Sequence, residues 1–269
     1  MIDHPGSVIL LGIVEGVTEF LPVSSTGHLI LASALLGYDA AQWKLFNIVI
    51  QLGAILAVVV LYWRTFWAVL IGLAGREPGA ARFVRNILLA FLPAAIVGLA
   101  LHKAIEALLG NPEVVAVALI AGGIAILVIE RLVKTADIRG VAAIPLPRAI
   151  GIGALQCLAM IPGISRSGAT IMGALMLGVE RRTAAEFSFF LAVPTMLGAT
   201  TLELVKSRHD IGTAAIGLPA ILLGSVVAFV VALIVIRGFV ALISRHGFAP
   251  FAWYRIAVGS AALVWLAQR

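Results

Sequence analysis

Charge, cysteine and a basic leader are what this 269-residue chain lacks. Charged residues make up 12% of it against 62% hydrophobic ones, and the mean hydropathy is +1.11. That is too little charge to clothe a soluble domain of this length, so an integral membrane protein is expected. The single cysteine, Cys157, lies in an apolar run, which excludes an intrachain disulfide and a cysteine-based metal site and leaves a packing role. No basic segment precedes the first apolar stretch of MIDHPGSVILLG, so that stretch reads as part of the fold rather than as a cleaved leader. The net charge of +6 (19 basic minus 13 acidic residues) sits in short connections between apolar runs, where orientation and lipid headgroups explain it better than nucleic acid does.

What the chain has instead is apolar runs of two lengths. Val8 to Leu21 spans about 21 Å as a helix, short of a hydrocarbon core of about 30 Å. After a polar turn a second short run, Leu29 to Leu36, ends at Gly37, so residues 8–37 read as a re-entrant helix–loop–helix. Spans follow at 46–62, 87–101 and 114–129, then a cytoplasmic connection at 133–148. The pattern starts again with a re-entrant pair at 150–178 and spans at 187–205, 216–236 and 251–266. Gly27 and Gly37 are matched 141 residues on by Gly168 and Gly178, and Phe46 by Phe187. The expected fold is an all-α polytopic membrane protein of two repeats, 1–132 and 149–269, with six full spans and two re-entrant hairpins. Three crossings per repeat invert the second relative to the first, and broken helices at matching places in inverted repeats point to a site near the bilayer midplane. Thirteen basic residues, Arg255 among them, fall on the face reached after an odd number of crossings and five on the other. The termini and the mouth of the first hairpin are therefore expected on the extracytoplasmic side.

The two polar turns carry the chemistry. EGVTEFLPVSSTGH (15–28) sets Glu15 and Glu19 one helical turn apart, then breaks at Pro22 into Ser24, Ser25, Thr26, Gly27 and His28. Hydroxyls and backbone N–H groups at a helix start suit an anion. PGISRSG (162–168) adds Gly163, Ser165, Arg166, Ser167 and Gly168. A guanidinium at membrane depth needs an anion; Glu15 or Glu19 can serve, but its setting among hydroxyls and glycines favours a phosphate or diphosphate ligand. His28 can move a proton near neutral pH, with Ser25 or Thr26 as nucleophile or as phosphate ligand while water attacks. The carboxylate pair can hold a divalent cation such as Mg²⁺, which takes one or two carboxylates plus substrate phosphates, or one carboxylate can act as acid or base. Hydrolysis of a phosphate ester or anhydride on an amphiphile is the reaction class expected. Gln51 and Gln156 read as interhelical hydrogen-bonding amides, Glu130, Glu186 and Glu203 as interfacial groups, and His4, His102, His209 and His246 carry no assignment.

These motifs, with the VIQLGAILAVVV run (49–60), resemble the bacitracin-resistance family of undecaprenyl-diphosphate phosphatases in order and spacing over essentially the whole chain. The resemblance implies a bacterial inner-membrane enzyme that converts undecaprenyl diphosphate to the monophosphate and inorganic phosphate, recycling the carrier for cell-wall synthesis and conferring bacitracin resistance. It assigns Glu15 and Glu19 as the acidic pair, Ser25 and His28 as hydroxyl and imidazole of the site, Arg166 as the phosphate-binding cation, and a divalent cation, Mg²⁺ or Ca²⁺, as cofactor. Membrane lipids are the other expected partners, a homodimer is compatible, and a lipid flippase using the same site is the competing function.

Overall fold

Backbone groups in a lipid core must pair within their own segment, and in the computed structural model the apolar runs are helical. The structure describes residues 5–38, 40–109, 111–133, 137–206 and 217–268. Among the described residues there is no strand, only an isolated bridge between Ile138 and Val179. His4, Lys134, Arg208, His209 and Arg269, used above for orientation or left unassigned, lie outside the described residues, as does Ile216 at the start of one expected span.

The first hairpin is α1 (Pro5–Thr18) and α2 (Ser25–Leu35). The span expected at 46–62 is α3 (Ala40–Leu61), followed after a 69° bend by α4 (Trp63–Ala74), a helix the apolar pattern did not separate. Then come α5 (Pro78–Ala100), the short α6 (His102–Leu109) and α7 (Pro112–Leu132). The second hairpin is α8 (Leu146–Gln156), a 3-10 turn at Cys157–Met160 and α9 (Arg166–Met176), and α10 (Arg181–Lys206), α11 (Leu218–His246) and α12 (Ala249–Leu266) complete the chain. Among the described residues five helices are long and apolar enough to cross a membrane, six if the bent pair α3 and α4 counts as one span. The protein is an all-α polytopic membrane protein.

Several helices outrun their apolar stretches, for a physical reason. Hydropathy marks where lipid touches the chain, whereas a helix ends where its backbone groups find other partners. Asn111 caps α7 by accepting from the Glu113 and Val114 N–H groups at 2.9 and 3.2 Å, with Pro112 in the first turn, so α7 starts ahead of residue 114. α11 continues past Arg237 to a stop at Gly247, whose φ is +69°. α8 starts inside the connection expected at 133–148, just after Pro145.

The two hairpins share local geometry at equal sequence offset. Ser24 and Ser165 both occupy the left-handed region, with φ of 72° and 80°. Each hydroxyl accepts the N–H of the glycine three residues on, Gly27 at 3.3 Å and Gly168 at 3.0 Å. α2 and α9 therefore begin at Ser25 and Arg166, earlier than the apolar runs alone mark, and each is 11 residues long.

The halves interlock. α1 packs on α11, α8 on α5, and α7 on α12. At the last interface a Cβ on Gly259 would stand 2.7 Å from the Ala116 carbonyl, and one on Gly123 2.7 Å from that of Ala252. Only hydrogen fits there, and this close approach brings the side chain of Arg255, in α12, across α7 into the centre of the molecule.

Candidate active site

Arg255 is 1% exposed and uses all five guanidinium hydrogens on backbone carbonyls. Nε donates to Leu119 at 3.2 Å and Nη2 to Ala118 at 3.1 Å, both in α7. Nη2 also donates to Gly163 at 2.8 Å, and Nη1 to Ile164 and Pro22, each at 2.9 Å. One side chain thus fastens a carbonyl of each polar turn to the same helix. Room for it comes from Gly122, where any Cβ would collide with the guanidinium. This corrects the expectation that Arg255 is an interfacial charge. WYR at the end of an apolar run reads as an anchor, and backbone acceptors leave no mark in a sequence.

With the turns fastened, their side chains meet. Arg166 Nη2 donates to Glu19 Oε1 at 3.0 Å, forming an ion pair in which both side chains are less than a tenth exposed. Ser25 Oγ donates to Glu19 Oε2. Arg166 Nη1 donates to the Ser188 carbonyl at 2.7 Å and its Oγ at 3.0 Å, while Nε has no partner. Phe20 lies beneath the guanidinium, 6.0 Å from ring centre to Cζ. Ser167 Oγ donates to the Leu21 carbonyl at 2.7 Å and lies 3.0 Å from Ser165 Oγ, a second tie between the turns. The anion held by Arg166 is therefore Glu19, and two of its donors are already committed to Ser188.

The remaining expected site residues divide by whether they face open space. Glu19, Ser24, Ser25, Thr26, Gly163, Ser165 and Arg166 line a cavity of about 440 Å³. Gly27, Ser167 and Gly168 lie behind its wall as cap and tie residues. His28 also lies off the cavity. Its Nδ1 is 2.8 Å from the Ser24 carbonyl and its Nε2 2.9 Å from the Tyr254 hydroxyl, with the two rings stacked at 5.6 Å. The hydroxyl of Ser25 accordingly pairs with Glu19, not with His28. A histidine three residues into a helix leans back toward the N-terminus, so one ring nitrogen meets the carbonyl of the cap residue Ser24 and the other finds its partner in α12.

Residues the sequence reading placed elsewhere complete the cavity. Gln156 is 2% exposed, lines it and has no partner for either amide atom, in contrast to the interhelical bond expected. Gln51, His102 and Glu203 also line it, the last buried rather than interfacial. Glu130 instead accepts from the Phe248 N–H at 2.7 Å and pairs with Arg181 at 3.4 Å. Most other lining residues are apolar, from α3, α5, α6, the 3-10 turn at Cys157–Met160 and α10. A polar floor under apolar walls fits the head and nearest tail segment of an amphiphile.

Glu15 is fully buried one turn before Glu19, and neither of its carboxylate oxygens has a hydrogen-bond partner. An orphaned carboxylate at this depth calls for a cation or a shared proton. Among the described residues no group of three or more His, Cys, Asp or Glu side chains could hold a metal ion. Glu15 with Glu19 suits a cation whose other ligands come from phosphate and water.

The comparisons agree with this chemistry. The chain is 68% identical to the undecaprenyl-diphosphatase of Novosphingobium aromaticivorans over 98% of each protein. It is 63% identical to that of Rhizorhabdus wittichii over 98% of each, and 61% identical to that of Sphingopyxis alaskensis over 98% of each. Residues 8–261 match the family model for bacitracin resistance protein BacA, and the chain belongs to that family.

Proposed function

We propose that this protein hydrolyses undecaprenyl diphosphate to undecaprenyl phosphate and inorganic phosphate in the bacterial inner membrane. The observation that carries the reading is the Ser25–Glu19–Arg166 chain in a mostly apolar cavity, in a protein whose relatives are named for that reaction.

The terminal phosphoryl group enters beside Ser25 and Arg166. Arg166 turns its free Nε and one Nη donor onto non-bridging phosphate oxygens, where charge builds as the bond to the bridging oxygen breaks. Glu19, released from that contact, takes the proton of Ser25 as Oγ attacks the terminal phosphorus. The lipid monophosphate leaves with the bridging oxygen; water then attacks the phosphoserine, Ser25 Oγ leaves and takes back the proton held by Glu19, and both protons of the water depart with inorganic phosphate. The backbone N–H groups at the start of α2 and the Thr26 hydroxyl hold the phosphoryl oxygens, and Gln156 offers its unused amide N–H to the substrate. Glu15 and Glu19 would hold Mg²⁺ or Ca²⁺, which when bound supplies charge neutralisation on the phosphates. His28, braced by Tyr254, positions α2.

Equal offsets and equal caps in the two hairpins support the inverted-repeat organisation. With Arg255 removed from the count, twelve basic residues still mark one face, which supports a site mouth on the extracytoplasmic side. The test is phosphate release by the purified protein from a C55 diphosphate, with and without EDTA. Release that is abolished by EDTA and restored by Mg²⁺ or Ca²⁺ is the expected result; folded protein that moves the lipid between leaflets without releasing phosphate would favour a flippase.

A further inference from the structure

A second cavity, about 740 Å³, lies about 18 Å along α5 from the first and belongs to neither turn. α5 and α10 line both cavities: the first with residues 91–99 and 195–203, the second with residues 82–85 and 182–190. The second is ringed by Arg82, Arg85, Arg139 and Arg182, and among its lining residues the only carboxylate is Glu186.

That carboxylate is spoken for, pairing with Arg182 at 3.0 Å. Arg85 reaches only the Asn86 amide oxygen, at 3.2 Å, and Arg82 and Arg139 have no acidic partner among the described residues. Like charges around one concavity repel and focus a positive potential into it, which an anion relieves.

The wall is built rather than incidental. Asn86, fully buried, donates to the carbonyls of Val141 and Ile144 at 3.1 and 2.8 Å, and Gly140 N–H donates to Thr183 Oγ1 at 3.0 Å. These bonds pin the strap that carries Arg139 over the cavity. Its floor is aromatic, Phe190 meeting Tyr62 and Phe83 edge-on, both at 5.1 Å. α4, which contributes Thr65 to the lining, exposes Trp63 and Trp67, a pattern typical of headgroup depth.

We propose that this second cavity is a binding site for a phosphate group, carried by a lipid headgroup or free as inorganic phosphate. Orientation alone requires cations on this face but neither their convergence on one hollow nor that each be an arginine. The planar fork of arginine suits the paired oxygens of a phosphate. The inference is independent of the hydrolytic reading.

The test is binding of inorganic phosphate and of farnesyl monophosphate to the full chain in detergent, by calorimetry, in an Arg166→Ala background that removes the first site's cation. Arg82→Gln with Arg139→Gln should weaken binding at least about tenfold. Arg82→Lys with Arg139→Lys keeps the charge for membrane insertion and should weaken it less. Equal affinity for the two probes assigns the site to free phosphate; clear preference for farnesyl monophosphate assigns it to a lipid. Unchanged binding of both probes in the glutamine variant, or in the lysine variant should the glutamine one fail to fold, overturns the proposal.

Discussion

Glu19 and Arg166 meet at 3.0 Å although 147 residues separate them, one from each polar turn. Each neutralises the other at a depth where a lone charge is costly, so a change at either acts on both. Arg166→Ala should lower turnover by about 10²–10³-fold, and Glu19→Gln should do so comparably. Initial rates of phosphate release check this; a variant within a few-fold of the parent would remove that residue from the chemistry.

Ser25 Oγ shares the other oxygen of the same carboxylate. Ser25→Ala should depress turnover by at least about 10³-fold, whereas Thr26→Ala should mainly raise KM. Rapid quenching with substrate labelled on its terminal phosphate should trap label on the parent protein and none on Ser25→Ala. Label retained in that variant would move the nucleophile elsewhere.

Both oxygens of Glu15 are buried without a partner. Glu15→Gln should shift the Mg²⁺ or Ca²⁺ concentration needed for half-maximal activity upward by at least about tenfold while leaving the fold intact. An unchanged cation titration in both Glu15→Gln and Glu19→Gln would show that these carboxylates hold no metal.

Gln156 gives the opposite signature in stability. Its amide is buried and unpartnered in the cavity wall, so Gln156→Leu removes a desolvated polar group at similar volume. Thermal stability should be unchanged or higher by about 1 kcal/mol, while KM for the lipid rises several-fold. A loss of stability with unchanged KM would return Gln156 to a packing role.

Arg255→Leu leaves the turn carbonyls of Pro22, Gly163 and Ile164 without the side-chain donor that ties them to α7 and should destabilise the protein by at least about 3 kcal/mol. Arg255→Lys, limited to three donors, should fall between. Detergent-resistant thermal unfolding measures both, and a leucine variant as stable as the parent would deny that Arg255 holds the turns.

How much of this was legible follows from what writes itself into a sequence. Ser24, Ser25, Gly27, Ser165 and Gly168 stand out because turn chemistry is local: a hydroxyl capping an N–H three residues on needs nothing from the rest of the chain. Arg166 stands out because a charge in an apolar run has few innocent explanations. Arg255 does not, since it sits beside Trp253 and Tyr254 near a charged loop and all its acceptors are backbone atoms in three other segments. The partners of His28 and Gln156 were hidden likewise, being decided by which helix packs opposite. The bend between α3 and α4 falls at Leu61-Tyr62-Trp63, with neither proline nor glycine to announce it.

The guanidinium of Arg255 limits how this protein can change shape. Parting the two hairpins, as a rocker would, strands turn carbonyls of both at once in a medium that offers no replacement. The cavity floor must therefore travel as one rigid plate, and the give needed to admit a bulky amphiphile falls to the surrounding walls, where α5 and α10 each carry an internal proline, Pro93 and Pro194, beside the cavity.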